Sequence, residues 1–155
     1  VYASSNVIDA LKREYRYIFQ ENSYPGIPKI NVSEISNSLF DIKGVAFLPI
    51  EVMHYKLPVF GFRVGNLTYI TDANFISDDE IEKIKGTKIL VLNALRKEKH
   101  ISHFSLQEAI DLVQIIQPEK TYLIHISHQL GLHKEIEKDL PDNVYLSYDG
   151  LKIEI

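Results

Sequence analysis

The chain has 155 residues, 45% of them hydrophobic and 25% charged, with a formal net charge of -4. That composition suits one globular domain spanning residues 1–155 and leaves no basic footprint for nucleic acid, which is disfavoured as a partner. There is no cysteine, so disulfides and thiolate metal sites are excluded, and His, Asp and Glu remain as the available metal ligands.

The predicted elements alternate in type along the chain. Val1–Ala3 is a strand end, Ser4 and Ser5 offer N-caps, and Val7, Ile8, Leu11, Tyr15 and Ile18 fall at helical spacing, which predicts a helix over about 6–19. Tyr24–Pro28 is a turn, Ile30–Ile35 a loosely alternating strand, and Val45–Val52 a nearly continuous apolar strand with His54 just beyond it. Val59–Val64 and Leu67–Thr71 flank Gly65-Asn66 as a tight hairpin, with Asp72 at its end. Ser77 with Glu80, and Ser105 with Glu108, have the spacing of capping boxes, opening helices at about 78–85 and 105–116. Between these helices lie a strand at Lys88–Leu92 and a polar, histidine-bearing loop at 94–104. Lys120–Ile126 is a strand, Lys134–Leu140 a short polar helix, and Val144–Tyr148 with Leu151–Ile155 flank Asp149-Gly150 as a second hairpin. The sum is a mixed α/β domain of antiparallel hairpins and β-α-β units. No apolar stretch approaches the roughly 18 residues of a membrane helix, and no signal peptide is visible. No membrane is expected, and the expected compartment is the cytoplasm. The only methionine is Met53, so Val1 is not an ordinary translational start and an upstream portion is expected to have been removed.

The tetrapeptide His-Ile-Ser-His occurs twice, at 100–103 and 125–128. His54, Asp72, Asn93 and His125 each end a predicted strand, where α/β sheets commonly place ligand sites, and His103 lies in a loop after one. Imidazole and carboxylate together are the ligand set for zinc, manganese or iron without thiolate. Singly, each has a plainer reading: a histidine after a strand is more often a hydrogen-bonded structural residue, and Asp72 could be a cap. His133 reads as solvated. Arg96-Lys97-Glu98-Lys99 reads first as a solvated loop and second as a phosphate contact. Phosphate-cradling glycine loops, a serine-hydrolase elbow and His-Glu-x-x-His are absent from the sequence.

The stretches His54-Tyr-Lys-Leu-Pro-Val-Phe-Gly-Phe-Arg, Tyr69-Ile-Thr-Asp72, Asn93-Ala-Leu-Arg, His100-Ile-Ser-His103-Phe-Ser-Leu-Gln-Glu-Ala, Leu123-Ile-His125-Ile-Ser-His128 and Tyr148-Asp149-Gly150 together resemble the metallo-β-lactamase superfamily. Within it the likeness is to the branch of the phosphoribosyl 1,2-cyclic phosphate phosphodiesterase, in order over essentially the whole chain. The resemblance implies part of a four-layer αββα sandwich with mixed sheets, and a site for two divalent metal ions, manganese or zinc, between the sheets. It implies His54, Asp72 and His125 as metal ligands, with Asp72 bridging. It also implies His103 as proton donor or phosphate contact and His128 as a neighbour orienting a ligand; the charged loop adds Arg96 as a candidate second substrate contact. The family's His-x-His-x-Asp-His is absent, so the chain is expected to correspond to a C-terminal portion, inactive alone and holding metal weakly or not at all. The implied activity is hydrolysis of a small-molecule phosphodiester. The alternatives are another activity of the same fold (ribonuclease, lactonase or thioesterase) or a non-catalytic module. A bared sheet is expected to favour homo-oligomers or retention of the missing N-terminal piece.

Overall fold

A computed structural model describes residues 1–20 and 25–154. Among them the elements run β1 (Tyr2–Ala3), α1 (Ser5–Glu14), β2 (Ser33–Glu34), β3 (Phe40–Ile42), β4 (Val45–His54), β5 (Leu57–Val64), β6 (Leu67–Ile70), β7 (Phe75–Ile76), α2 (Asp78–Ile84), β8 (Ile89–Asn93), α3 (Leu106–Ile116), β9 (Lys120–Ile124), α4 (His133–Ile136) and β10 (Val144–Leu146). The main sheet has the order β10-β9-β8-β6-β5-β4-β3, with β7 also on β4, and β1 and β2 form a separate parallel pair. This is the mixed α/β architecture expected.

The sheet is parallel from β10 through β9 and β8 to β6, and antiparallel from β6 through β5 and β4 to β3. Because β5 opposes both β4 and β6, β4 runs the same way as β6, β8 and β9. The C-terminal ends of these four strands therefore share one edge. The register places Ile70, Leu92, Leu123 and Leu146 in one row across four strands. All four are buried, in one cluster with Ile81 and Ile84 of α2 and Ala109, Val113 and Ile116 of α3. Full burial of such side chains stabilises by roughly 1.5–3 kcal/mol each, which makes this row the support for the edge where the polar residues sit. The opposite face is aromatic: Phe62, Tyr69, Val91, Tyr122 and Tyr145 form its row. Tyr122 stacks on Tyr145, and Phe47 packs against Phe40 and Phe62. Tyr69 on that face remains exposed.

Several expectations need correction. The helix at 6–19 stops at Glu14; Tyr15 leaves helical geometry at φ −110°, ψ 40°, and a 3₁₀ turn follows at Arg16–Ile18. Only Ile8 of α1 is buried, so little packing holds a longer helix in place. Of the turn at Tyr24–Pro28, residue 24 lies outside the described residues. The Ser105–Glu108 capping box forms, whereas Ser77 makes no side-chain cap bond. Glu80 is drawn off instead to Asn37, Lys83 and the Glu51 amide. The strand at Lys120–Ile126 ends at Ile124 because His125 turns to φ +58°. The short polar helix divides into α4 and a 3₁₀ turn at Glu137–Asp139. The C-terminal hairpin does not form: β10 pairs with β9, and residues 151–154 add no return strand. Its Asp149-Gly150 makes only a local turn, closed by Leu151 N–H on the Tyr148 carbonyl. Residue 155 is outside the described residues. Strands β3 and β7 are too short to show a pattern in the sequence and form by pairing with β4. Between β3 and β4 the two-residue turn Lys43-Gly44 has positive φ at both positions, the geometry that right-twisted hairpins favour. No helix among the described residues is long and apolar enough to cross a membrane.

Candidate functional site

The shared strand edge assembles the polar residues that the sequence scattered. His54 is the last residue of β4, Asp72 lies two residues past β6, His103 is in the loop between β8 and α3, and His125 follows β9 directly. Asp72 and His125 both occupy the left-handed region, with φ +53° and +58°. For residues with a Cβ this is uncommon and marks a turn held by its surroundings. At both positions the chain reverses abruptly at a strand end and presents the side chain at the edge.

His103 Nε2 lies 3.0 Å from Asp72 Oδ1, and His125 Nε2 is 3.5 Å from the same oxygen. The His103 ring stacks on His125 with centroids 4.6 Å apart and planes 8° from parallel. It meets His54 edge-on at 4.8 Å. Ligand-capable atoms of His54, Asp72 and His103 all lie within 4.8 Å of one another. The tightest donor set thus includes His103, which the sequence reading kept apart from the ligands, while His125 reaches the set through Asp72. An imidazole and carboxylate cluster without sulfur fits zinc or manganese in donor chemistry.

Exposure grades the members: 11% for the His103 side chain against 39% for His125 and 44% for Asp72. Burial is the largest influence on His103 and lowers its pKa below the ordinary histidine value. The Asp72 hydrogen bond works the other way, and the neighbouring charges of His125 and His54 lower it further. His103 is therefore neutral at neutral pH. A carboxylate only accepts, so neutral His103 carries its proton on Nε2 and donates it to Asp72. Its Nδ1 then accepts, and Ser102 Oγ stands 2.9 Å away as the donor, with His100 Nδ1 at 3.2 Å.

Two expected members make no hydrogen bond to the cluster among the described residues. Arg96 spends Nη1 on Gln129 Oε1 at 2.8 Å and Nη2 on the Lys99 carbonyl at 3.0 Å, so its guanidinium braces the loop. His128 is exposed, with no hydrogen bond to a site residue among the described residues. The cause is local. Ser127 N–H bonds to the Leu95 carbonyl and Leu130 N–H to the Ser127 carbonyl, and this turn sends Leu130 into the core and His128 outward. Conversely, Ser102 and Asn74 were not singled out. A single hydroxyl or carboxamide in a loop leaves no periodic signal, and only the fold reveals its partner.

A family model described as a beta-lactamase superfamily domain matches residues 1–126. Among solved structures, a diphosphatase from the PhnP family superposes with a TM-score of 0.90 at 31% identity, covering 99% of this chain and 57% of that one. At lower identity, 13% and 14%, the metallo-β-lactamase fold protein YhfI from Bacillus subtilis and Zn(2+)-bound PqqB from Methylobacterium extorquens share the fold. Their TM-scores are 0.73 and 0.69, over 97% and 99% of this chain and 62% and 61% of theirs. A protein of Porphyromonas gingivalis named octanoyltransferase is 35% identical over 154 residues, 98% of this chain but 31% of its own length. The chain thus spans a little over half of the diphosphatase and under a third of the curated relative. With four-fifths of its residues inside the family model and that fold around the His–Asp cluster, the chain belongs to the beta-lactamase superfamily and carries the metallo-β-lactamase fold.

Proposed function

We propose that the chain supplies the His54–Asp72–His103–His125 part of a metal-dependent hydrolase acting on small-molecule phosphodiesters. The observation that carries this reading is the convergence of three imidazoles on one carboxylate at a single sheet edge. Similarity to a diphosphatase at 31% identity supports the phosphate class. His54, Asp72 and His125 would hold divalent metal. The bound cation, zinc or manganese, supplies Lewis acidity toward the phosphoryl oxygens and toward water. His103 presents its Nε2 proton at the same place. Neutral, it donates a hydrogen bond to a phosphate oxygen; as imidazolium, favoured by the incoming phosphate charge, it protonates the leaving oxygen. The formal net charge of -4 disfavours a polyanionic nucleic acid as the substrate.

The relative named octanoyltransferase favours a second reading, hydrolysis of an acyl thioester, in which the same His–Asp set acts on an acyl carbonyl. The chain has no cysteine to carry an acyl group by thiol exchange. The test is hydrolysis by the zinc- or manganese-loaded protein, alone and with any upstream sequence its gene encodes, on a five-membered cyclic phosphate, a linear phosphodiester, a lactone and an octanoyl thioester. Phosphodiester turnover slowed by His103→Ala is the expected result. Turnover of the thioester alone would replace the phosphodiesterase reading with the second one.

A further inference from the structure

Asn93 shares the strand-end position of the site residues but is no ligand candidate. It closes β8, whose other members, Ile89, Leu90, Val91 and Leu92, are all buried and apolar. A carboxamide at a fully buried position there is costly unless both ends are bonded, and both are. Asn93 Oδ1 accepts from Ala73 N–H at 3.0 Å, and Asn93 Nδ2 donates to the Ala73 carbonyl at 2.9 Å. Both hydrogen bonds fall on the residue that follows Asp72, the one at φ +53°. Fully buried and bonded at both ends to Ala73, the side chain is oriented to the backbone and is out of reach of solvent.

The same short segment reaches the chain beside His103 and His54, and the residue after Asn93 reaches the chain before His125. The Ala73 carbonyl also accepts from Phe104 N–H at 2.8 Å, next to His103. Asn74 donates its N–H to the Met53 carbonyl at 2.8 Å and accepts Tyr55 N–H on Oδ1 at 2.7 Å, bracketing His54 on both sides. Ala94 N–H bonds to the Ile124 carbonyl at 2.9 Å, just before His125. We propose that Asn93 is the positioning residue of the site, with Asn74 as its outer arm. Its buried clamp fixes the 72–74 backbone, and that backbone holds Asp72 in its left-handed conformation against His103 and aligns the strand end bearing His54, while the neighbouring Ala94 N–H ties the strand end before His125. A ligand set is useful only when its supports hold it to within a fraction of an ångström. Here the supports are asparagine–backbone bonds.

The proposal rests on reading the cluster as a metal site, and its experiment separates the two. Three variants are compared with wild type: Asn93→Leu, which keeps the shape and removes both bonds; Asn74→Ala, at a partly exposed position; and Leu90→Ala, a core control on the same strand. Metal-free protein is examined by proton–nitrogen NMR of the histidine rings. Zinc affinity is measured by competition with a chelator. Asn93→Leu should lose the slowly exchanging Nε2 proton of His103 and weaken zinc by about 10–100-fold, the range typical of lost support around ligands. Asn74→Ala should shift the His54 ring signals and weaken zinc by a smaller factor. Leu90→Ala should lower the thermal midpoint and leave both readouts in place. If Asn93→Leu does not fold, Asn74→Ala decides alone. Unchanged ring spectra in the asparagine variants, or equal loss in Leu90→Ala, overturn the proposal. If wild type binds no zinc while Asn93→Leu still loses the His103 proton, the reading of this cluster as sufficient to hold metal fails and the positioning role stands.

Discussion

Removing the Glu80 carboxylate should destabilise the protein by about 2–3 kcal/mol at neutral pH, with the loss disappearing in acid. Glu80 belongs to α2, its side chain is 10% exposed, and it joins three parts of the chain. It accepts from Asn37 Nδ2 at 2.7 Å, from Lys83 Nζ at 2.7 Å and from Glu51 N–H at 3.0 Å. Hydrogen bonds to a charged group contribute roughly 1.5–3 kcal/mol each, and breaking a buried ion pair costs about 3–5 kcal/mol. Lys83 is 27% exposed, so solvent screens part of that attraction, which brings Glu80→Ala to the lower figure. For a domain of this size, 2–3 kcal/mol is about 5–10 °C in the thermal midpoint. Burial alone would raise the Glu80 pKa, but Lys83, Asn37 and the Glu51 amide together hold it below its ordinary value. A folded pKa below the unfolded one means the stabilisation is complete above the unfolded value of roughly 4.5 and fades as pH falls through the folded value. Thermal midpoints of wild type and Glu80→Ala, measured from pH 7 to pH 3, should converge toward the acid end. A gap that stays constant over that range, or one below about 1 °C at pH 7, would refute the assignment of this stabilisation to the ionised carboxylate.

Three further outcomes follow from single contacts. On the proposed phosphodiesterase reading, His103→Ala in the metal-loaded protein should slow hydrolysis of a phosphodiester with a poor leaving group by about 10²–10⁴-fold, the usual share of a general acid. The loss should shrink for a nitrophenolate leaving group, which needs no proton. Ser105→Ala removes the capping box of α3, in which Ser105 N–H and Oγ both bond Glu108. About 1 kcal/mol of stability should be lost in urea titration with the slope unchanged. Gly61→Ala would put a Cβ 2.7 Å from Ile70 Cγ1 and 2.8 Å from the Tyr69 carbonyl oxygen. With the backbone of β6 in the way, β5 and β6 must part, and a loss of about 1–3 kcal/mol in the same titration is expected.

What could be read from the sequence was whatever local pattern decides. Helix α3 follows from the apolar spacing of Ala109, Val113 and Ile116 behind a capping box, and it forms as read. The Gly65-Asn66 hairpin forms with Val64 opposite Leu67. Ser77 and Glu80 carry an equally good capping signal, but Lys83 and Asn37 compete for the same carboxylate and win. Asp149-Gly150 carries an equally good hairpin signal, yet β10 stays the edge strand beside β9 and residues 151–154 add no strand to it. The short strands β3 and β7 are the reverse case, weak in local pattern and fixed by pairing with β4. In the site, strand-end position pointed to His54, Asp72 and His125, and the fold brings them to one edge. Arg96 could not be resolved by the same means, because whether a guanidinium is free or tied to carbonyls depends on a loop that sequence does not describe.

The two His-Ile-Ser-His copies show how strand ends decide what a histidine does. In the second copy the strand ends at Ile124, so the first histidine, His125, falls at the turn with φ +58° and faces Asp72. The last, His128, is carried outward by the turn that buries Leu130. In the first copy the chain returns toward the site from a loop, so the order inverts. His103 is placed because Phe104 N–H bonds to Ala73, while His100 and Ser102 close on its Nδ1 face. With Nε2–H donated to Asp72, His103 needs a donor at Nδ1, and the Ser102 hydroxyl at 2.9 Å is that donor. The identical tetrapeptides therefore have inverted roles, set by where each copy begins relative to Asp72. Exchanging the flanking strand ends, rather than the tetrapeptides, would exchange those roles.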